Sequence, residues 1–237
     1  MSNTMQNIED STQTPLGRVL EKLNNSVETG HKHPYLIDHE VANFDLTLDK
    51  DGNLLGIGVN LRESFIGDSY RPKAQTILNI SPEGRATLER GVKFFGSALM
   101  IGHREFRKLA KSPQNPSEPS VIYVAVDYPT GAFLHTKTGW PVAVAFKNAN
   151  VKSVVSFFKK RFPQARVVAC LGSEESKYSS RNKAAKAVLK LGGLVSYPTF
   201  NKYEKHHGLI SFNDLCMVHG HEAALLRLRQ GIQGENA

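Results

Sequence analysis

Val121-Ile-Tyr-Val-Ala-Val126 is a short apolar run that the turn Asp127-Tyr-Pro-Thr-Gly131 separates from a segment of helical character. Two more apolar runs follow, Pro141-Val-Ala-Val-Ala-Phe146 and Arg166-Val-Val-Ala-Cys-Leu171, with the amphipathic stretch 151–162 between them. Strands that alternate with helices in this way are typical of βαβ units, in which the strands are parallel. This part of the sequence therefore predicts an α/β fold with a parallel sheet.

Acidic residues follow two of these predicted strands. Asp127 comes directly after the first run, and Glu174 with Glu175 comes after the third. Ligands of such sheets bind beyond the carboxyl ends of the strands, and Mg²⁺ prefers carboxylate oxygens. Asp127, Glu174 and Glu175 are the candidate Mg²⁺ ligands, and Asp127, Glu174 and Asp214 are the candidate catalytic residues. Asp214 has a second interpretation, as the residue that starts the final helix.

The composition indicates a globular protein with a basic surface. The 237 residues carry a formal net charge of +8, and 40% of them are hydrophobic. No run approaches the roughly 18 apolar residues of a membrane span, and the N-terminus lacks the apolar core of a secretory signal. Cys170 and Cys216 are too few for a four-ligand zinc site. We expect a cytoplasmic protein with reduced thiols, and the positive charge favours a nucleic-acid partner.

Three regions can be distinguished along the chain. Residues 1–28 combine a polar tail with an amphipathic helix from Pro15 to Glu28. Residues 29–110 alternate apolar and polar residues between turns, which predicts a small, mostly antiparallel module. The proline-rich segment 111–119 is the predicted boundary, and residues 119–232 form the α/β domain.

The α/β domain is expected to contain about four parallel strands flanked by helices, the fourth strand lying at 194–197. Strands of this kind are buried on both faces. Val126, Val144 and Val168 are predicted at central positions of the first three strands.

The order of short motifs from Val121 onward resembles the Toprim domain in the primases of conjugative plasmids and related mobile elements. The motifs that carry the resemblance are His135-Thr-Lys-Thr-Gly139, Phe162-Pro-Gln-Ala-Arg166, Gly192-Gly193, Phe212-Asn-Asp-Leu215 and His219-Gly220. Upstream, the module that precedes Toprim in the same primases is similar at His33-Pro-Tyr-Leu36, Asp51-Gly52 and Met100-Ile-Gly102. The resemblance spans roughly residues 30–230. It implies a protein that acts on DNA or RNA, with a replication or conjugation protein as a candidate partner.

The acidic motif of the Toprim family is incomplete in this sequence. The resemblance implies a glutamate and a glycine after the first strand and an Asp-x-Asp triplet after the third, which together hold Mg²⁺ for phosphoryl transfer. Alignment through the motif at 135–139 places Val126 at the glutamate and Asp127 at the glycine. Alignment through Ala165-Arg166 places Gly172-Ser173-Glu174 on the triplet. We therefore expect Mg²⁺ binding to be weak or absent.

Basic residues are concentrated in the second half of the chain. Cationic side chains that bind phosphates release counterions and so give affinity without sequence preference. The alternative is that these side chains only form solvated helix faces. The candidate nucleic-acid-binding residues are Lys147, Lys152, Lys160, Arg161, Lys177, Arg181, Lys183, Lys186 and Lys190.

Three functions are compatible with this sequence. The first is a primase-related Toprim protein that binds nucleic acid without standard primase activity. The second is an active Mg²⁺-dependent nucleotidyl transferase or nuclease. The third is a protein-interaction or inhibitor module.

Overall fold

The structure, a computed structural model, describes residues 14–111, 120–173 and 179–233. Residues 1–13 of the polar tail and residues 112–119 of the predicted boundary segment lie outside these ranges. The elements before that segment are α1 (Pro15–Asn24), β1 (Val27–Glu28), α2 (Pro34–Asp38), β2 (Thr47–Leu48), β3 (Leu54–Asn60), α3 (Leu61–Ser64), β4 (Phe65–Ile66), β5 (Ser69–Tyr70), β6 (Ala74–Ile80), β7 (Ala86–Leu88), β8 (Ser97–Ile101) and α4 (His103–Lys111). The elements after it are β9 (Val121–Ala125), α5 (Tyr128–Thr138), β10 (Val142–Val144), α6 (Asn148–Arg161), β11 (Arg166–Cys170), α7 (Ser180–Lys190), β12 (Leu194–Ser196), α8 (Lys202–His206) and α9 (Phe212–Gln233).

One mixed sheet runs through both halves of the chain. Its strands follow the order β12, β11, β9, β10, β8, β3, β6 and β7. β2 pairs with the first residues of β3, and β1 pairs antiparallel with β2. β12, β11, β9 and β10 are parallel. β8 then pairs antiparallel with β10, so that Leu99, Val144 and Ala125 lie next to one another. The predicted α/β fold, with four parallel strands after a mostly antiparallel module, is confirmed.

The central strand β9 contributes to two hydrophobic cores. Ile122 and Val124 lie in the core that also contains the buried residues of α6 and α7. Val121, Tyr123 and Ala125 lie in the other core, with residues of α5 and α9. Successive side chains of a strand point to opposite faces of the sheet. Because both faces are covered, the strand is apolar throughout.

Helix α6 carries its apolar and basic residues on different sides. Its fully buried apolar residues follow helical spacing and pack on the sheet: Val151, Val154, Val155 and Phe158. Lys152 and Lys160, between and beyond these positions, are exposed. The sequence pattern therefore sets which side of α6 faces solvent.

The prediction of a central strand position was wrong for one of the three valines. Val144 and Val168 are fully buried within β10 and β11. Val126 is half-buried and follows the last residue of β9, because the chain leaves the sheet there to begin α5. α5 begins at Tyr128, four residues earlier than the sequence suggests.

The first helix is shorter than its apolar pattern predicts. α1 ends at Asn24, and Val27 and Glu28 form strand β1 instead. Val27 pairs with Leu48 and Glu28 with Thr47. Pairing with β2 therefore prevails over the continuation of the helical pattern.

Neither cysteine forms a disulfide. Cys170 is buried in β11 and Cys216 is half-buried in α9. Burial raises the pKa of both thiols. Within the described parts of the chain, no helix has the length and apolar character that crossing a membrane requires.

Candidate nucleic-acid interface and metal site

Asp127 lies beyond the carboxyl end of β9 and caps α5. Its Oδ1 accepts a hydrogen bond from Thr130 N at 2.8 Å, the usual contact of an aspartate at this helix position. Asp127 is half-buried, and its partial removal from water raises the pKa of its carboxyl. The hydrogen bond from Thr130 opposes that rise, and the negative charge of Asp214 adds to it. The carboxylate predicted to bind metal is therefore engaged in a helix cap.

The position at which the Toprim resemblance implies a glutamate carries an apolar side chain. Val126 packs against the core on the side of the sheet that α6 and α7 cover. A valine side chain offers no oxygen to a hard cation such as Mg²⁺.

The end of β11 is packed against the backbone that precedes α9. A Cβ atom built on Gly172 would lie 3.2 Å from the carbonyl oxygen of Ile210. Ser173 N donates a hydrogen bond to the same oxygen at 2.9 Å, and Ser173 Oγ donates one to Leu209 O at 3.4 Å. The backbone at 209–210 therefore crowds Gly172, the residue that aligns with the first aspartate of the Toprim triplet.

Asp214 caps the start of α9. Its Oδ2 accepts hydrogen bonds from Ile210 N at 2.9 Å and Ser211 N at 2.8 Å. In return, Asp214 N donates to Ser211 Oγ at 3.0 Å. This reciprocal pair is a capping box with an aspartate in place of the usual glutamate. It is the arrangement expected of a residue that starts the final helix.

The described acidic residues do not by themselves fit a magnesium site. Among residues 14–111, 120–173 and 179–233, no three His, Cys, Asp or Glu side chains are grouped closely enough to hold a metal ion. Asp127 and Asp214 both accept backbone hydrogen bonds. Glu174 and Glu175, the other candidate ligands, lie outside the described residues.

The basic residues of α6 and α7 lie on adjacent helices. Asn148 Nδ2 donates a hydrogen bond to Ser180 Oγ at 3.2 Å, which joins the first turns of the two helices. Lys183, Lys186 and Lys190 are exposed, at a spacing that places them along one side of α7. The ion pairs found between described residues involve none of these three lysines.

Two of the candidate arginines make contacts within the protein. Arg161 Nη2 donates to the carbonyl oxygen of Gly67, between β4 and β5, and the guanidinium lies 5.2 Å from the centre of the Phe162 ring. The Arg181 guanidinium lies 4.7 Å from the centre of the Tyr197 ring. Both arginines therefore have a structural contact besides any contact with a ligand. Lys177, a third candidate, lies outside the described residues.

A cleft of about 790 Å³ lies along α6 and is called the α6 cleft below. One wall is α6, and the other comes from residues of the N-terminal half at Asn60, Arg62 and Phe95–Gly96. Its cationic lining residues are Arg62, Lys152, Lys160 and Arg161. Such a lining has the charge expected of a groove that binds a nucleic-acid backbone.

The buried side chain of Asn150 fixes the position of the opposite wall. Asn150 Oδ1 accepts a hydrogen bond from Gly96 N at 2.9 Å, and its Nδ2 donates to Ser97 O at 2.8 Å and to Ala145 O at 3.1 Å. The chain turns sharply after Ala145, where Phe146 has a φ of 68° and Lys147 N donates to Ala145 O at 2.8 Å. A positive φ at a phenylalanine is strained. This turn leads directly into α6.

Sequence reasoning missed two residues of this cleft. Arg62 and Phe95 belong to the N-terminal half, 90 and 57 positions before Lys152 in the chain, so no local pattern connects them with α6. The signal that could have identified the wall is the aromatic pair Phe94-Phe95 between Lys93 and Gly96. Adjacent aromatic and basic residues in a loop are common in single-strand binding sites.

Comparison with known proteins supports the fold but assigns neither a family nor an activity. No protein-family model matches the sequence, and no curated protein matches it. The fold is similar to that of the primase fragment of the bacteriophage T7 primase-helicase protein, with a TM-score of 0.55 and 9% identity over 85% of this chain and 78% of that one. It is also similar to a DNA primase domain from Pseudomonas aeruginosa, with a TM-score of 0.50 and 12% identity over 90% of this chain and 58% of that one. The expectation of a primase-like, Toprim-like fold is thereby confirmed.

Proposed function

We propose that this chain is a primase-related protein of a plasmid or mobile element that binds nucleic acid through α6, α7 and the α6 cleft. The observation that carries the proposal is the cationic lining of the cleft, where Arg62, Lys152, Lys160 and Arg161 face the same space. The exposed lysines of α7, the helix next to α6, add further positive charge. The likeness to primase domains supports the same function, because a primase works on a nucleic-acid template. The plasmid or mobile-element origin rests on the motif resemblance alone.

We further propose that the acidic site has lost the standard primase chemistry. Val126 stands where a metal-binding glutamate is implied, and the backbone oxygen of Ile210 crowds Gly172, where an aspartate is implied. The carboxylates of Asp127 and Asp214 cap helices. Mg²⁺ gives up its water ligands reluctantly and needs well-placed oxygen ligands, so this arrangement favours binding without catalysis.

The binding proposal is tested with a fluorescently labelled oligonucleotide and anisotropy measurements over a range of salt concentrations. Each phosphate contact contributes about 0.7 to the slope of log K against log salt for a single strand. The combined variant Lys183→Gln, Lys186→Gln and Lys190→Gln should bind more weakly, with a slope smaller by up to about 2.

A matched control changes three exposed lysines outside α6 and α7: Lys32→Gln, Lys50→Gln and Lys202→Gln. Its net charge equals that of the test variant, so a general charge effect would weaken both equally. Absence of binding by the parent protein at about 50 mM salt, or affinity that does not depend on salt, would overturn the proposal.

An active Mg²⁺-dependent nucleotidyl transferase or nuclease is the second candidate. The observation that favours it is the raised pKa of Asp127 close to the charge of Asp214, since perturbed carboxylates are common in active sites. Metal-dependent primer synthesis or nucleic-acid cleavage by the unmodified protein would establish this candidate in place of binding without catalysis.

A further inference from the structure

Phe95 is a large aromatic side chain that the fold leaves exposed beside cationic groups. Its exposed fraction is 58%, and it lines the α6 cleft together with the basic residues described above. The ring stacks on Phe94, with 4.5 Å between ring centres and 25° between ring planes. Lys147 Nζ lies 5.4 Å from the centre of the Phe94 ring. The two rings and the lysine therefore form one contiguous group, of which Phe95 lines the cleft.

The loop that carries Phe95 is held by polar contacts on both sides of the ring. Before it, the carbonyl oxygen of Phe94 accepts a hydrogen bond from Ser97 Oγ at 2.6 Å. After it, Gly96 N donates to the buried Asn150, and Gly96 O accepts from Leu61 N at 3.1 Å. An exposed apolar ring on a fixed loop has already lost much of the conformational freedom that binding would otherwise remove.

We propose that Phe95 is a platform on which an unpaired nucleobase stacks, and that the α6 cleft therefore selects single strands over duplexes. The proposal rests on the proposed function, because the cationic residues must hold the backbone of the same strand. In a duplex each base already stacks between its neighbours and its face is inaccessible. A single strand can present one base to the Phe95 ring while Lys152 and Lys160, on the other wall, face its phosphates.

The test compares strands that have the same phosphates but differ in their bases. One labelled strand of about 12 nucleotides carries normal bases, a second carries abasic sites in its central part, and a third is the duplex form of the first. The protein should bind the normal strand at least about fivefold more tightly than the abasic strand. Phe95→Ala should remove this difference without changing the salt dependence, because no charge is lost.

Two further variants separate stacking from general apolar contact. Phe95→Trp should keep the preference for normal bases, whereas Phe95→Leu, which has no ring, should behave as Phe95→Ala does. Ile66→Ala changes another exposed apolar residue, 70% exposed, and should leave the preference intact. These substitutions are at exposed positions, so the variants should fold.

The outcomes distinguish this proposal from the one on which it rests. Equal affinity of the parent protein for normal and abasic strands, with the usual salt dependence, would overturn stacking on Phe95 and leave backbone binding intact. If Phe95→Ala keeps the full preference for normal bases, stacking on Phe95 is also overturned and backbone binding is left intact. Failure to bind any of the three nucleic acids would overturn the proposed function, and the stacking proposal with it.

Discussion

Asn150 Oδ1 accepts a hydrogen bond from Gly96 N at 2.9 Å and thereby joins two residues 54 positions apart in the chain. Through its Nδ2 the same side chain also binds Ser97 O, at the start of β8, and Ala145 O, just after β10. Asn150 is fully buried, so its amide bonds these backbone groups in place of water, and Ala145 O accepts a second hydrogen bond from Lys147 N. One amide thus holds the wall of the α6 cleft to the carboxyl end of the parallel sheet.

Replacement of Asn150 by Ala should lower the free energy of unfolding by about 2–5 kcal/mol, because a buried side chain is removed and three backbone groups each lose a hydrogen bond. The measurement is denaturant unfolding at equilibrium. Asn148→Ala is the matched control, since that half-buried side chain makes one hydrogen bond, to Ser180 Oγ. It should cost about 1 kcal/mol or less. Similar losses for the two variants would show that Asn150 does not have this role.

Val144→Asp should prevent folding or lower the melting temperature by about 10 °C or more. Val144 is fully buried between β8 and β9, and an unpaired carboxylate at this place costs several kcal/mol. Val27→Asp is the control, because Val27 also lies in a strand but is 61% exposed. Its melting temperature should stay within about 2 °C of the parent value. A small effect of Val144→Asp would contradict the central position of β10.

The parallel half of the fold was accessible from the sequence because its signals are local. Apolar runs bounded by turns predict strands such as β11 regardless of what packs against them. The end of β9 was misplaced by one residue, because the cap by Asp127 decides where the strand stops and apolar character alone cannot show it. Likewise, the pairing of Val27 with Leu48, which ends the first helical pattern, joins segments about 20 residues apart.

The candidate site was only partly accessible from the sequence. Lysines on α6 and α7 could be named because helical spacing separates their basic side from their apolar side. Arg62 and Phe95 could not be named from the sequence, because they reach the α6 cleft through the pairing of β3 with β8 and of β8 with β10. The crowding of Gly172 by the oxygen of Ile210 is also a tertiary contact, and the triplet alignment gave no indication of it.

The stability of the protein should fall as pH rises through the titration of Asp127. Burial raises the folded-state pKa of this carboxyl above its ordinary value of 3.8, so the folded state binds more protons between these two pKa values. The stabilisation that comes from the protonated Asp127 carboxyl is fully present below about pH 3.8 and is lost as pH rises through the folded-state pKa. Asp127→Asn should therefore be at least as stable as the parent at about pH 7, since asparagine caps a helix equally well.

The measurement is the denaturant midpoint of both proteins at several values between about pH 4 and pH 7. The parent should lose more stability than Asp127→Asn over this range. Asp127→Ala is the control for the cap, and should be about 1 kcal/mol less stable than Asp127→Asn at every pH because Thr130 N loses its acceptor. If the asparagine variant is less stable at neutral pH and keeps the pH dependence of the parent, the carboxylate is not destabilised by burial.

The unmodified protein should bind Mg²⁺ and Mn²⁺ too weakly for isothermal titration to detect, and should show neither primer synthesis nor nuclease activity. The combined variant Val126→Glu, Gly172→Asp and Glu174→Asp should gain measurable Mn²⁺ binding, because it supplies carboxylates after both β9 and β11. Gly172→Asp should also lower the melting temperature, since its Cβ would lie 3.2 Å from Ile210 O and the segment before α9 must move.

The control for this restoration is the amide variant Val126→Gln, Gly172→Asn and Glu174→Asn, which changes shape similarly but adds no negative charge. It should not gain Mn²⁺ binding, although the crowding at Gly172 should lower its melting temperature as well. The decisive result is the activity of the unmodified protein. Metal-dependent phosphoryl transfer that disappears in Asp127→Ala or Glu174→Ala would show that neighbouring acids have rebuilt the site. The proposal of a Toprim site without standard chemistry would then be wrong.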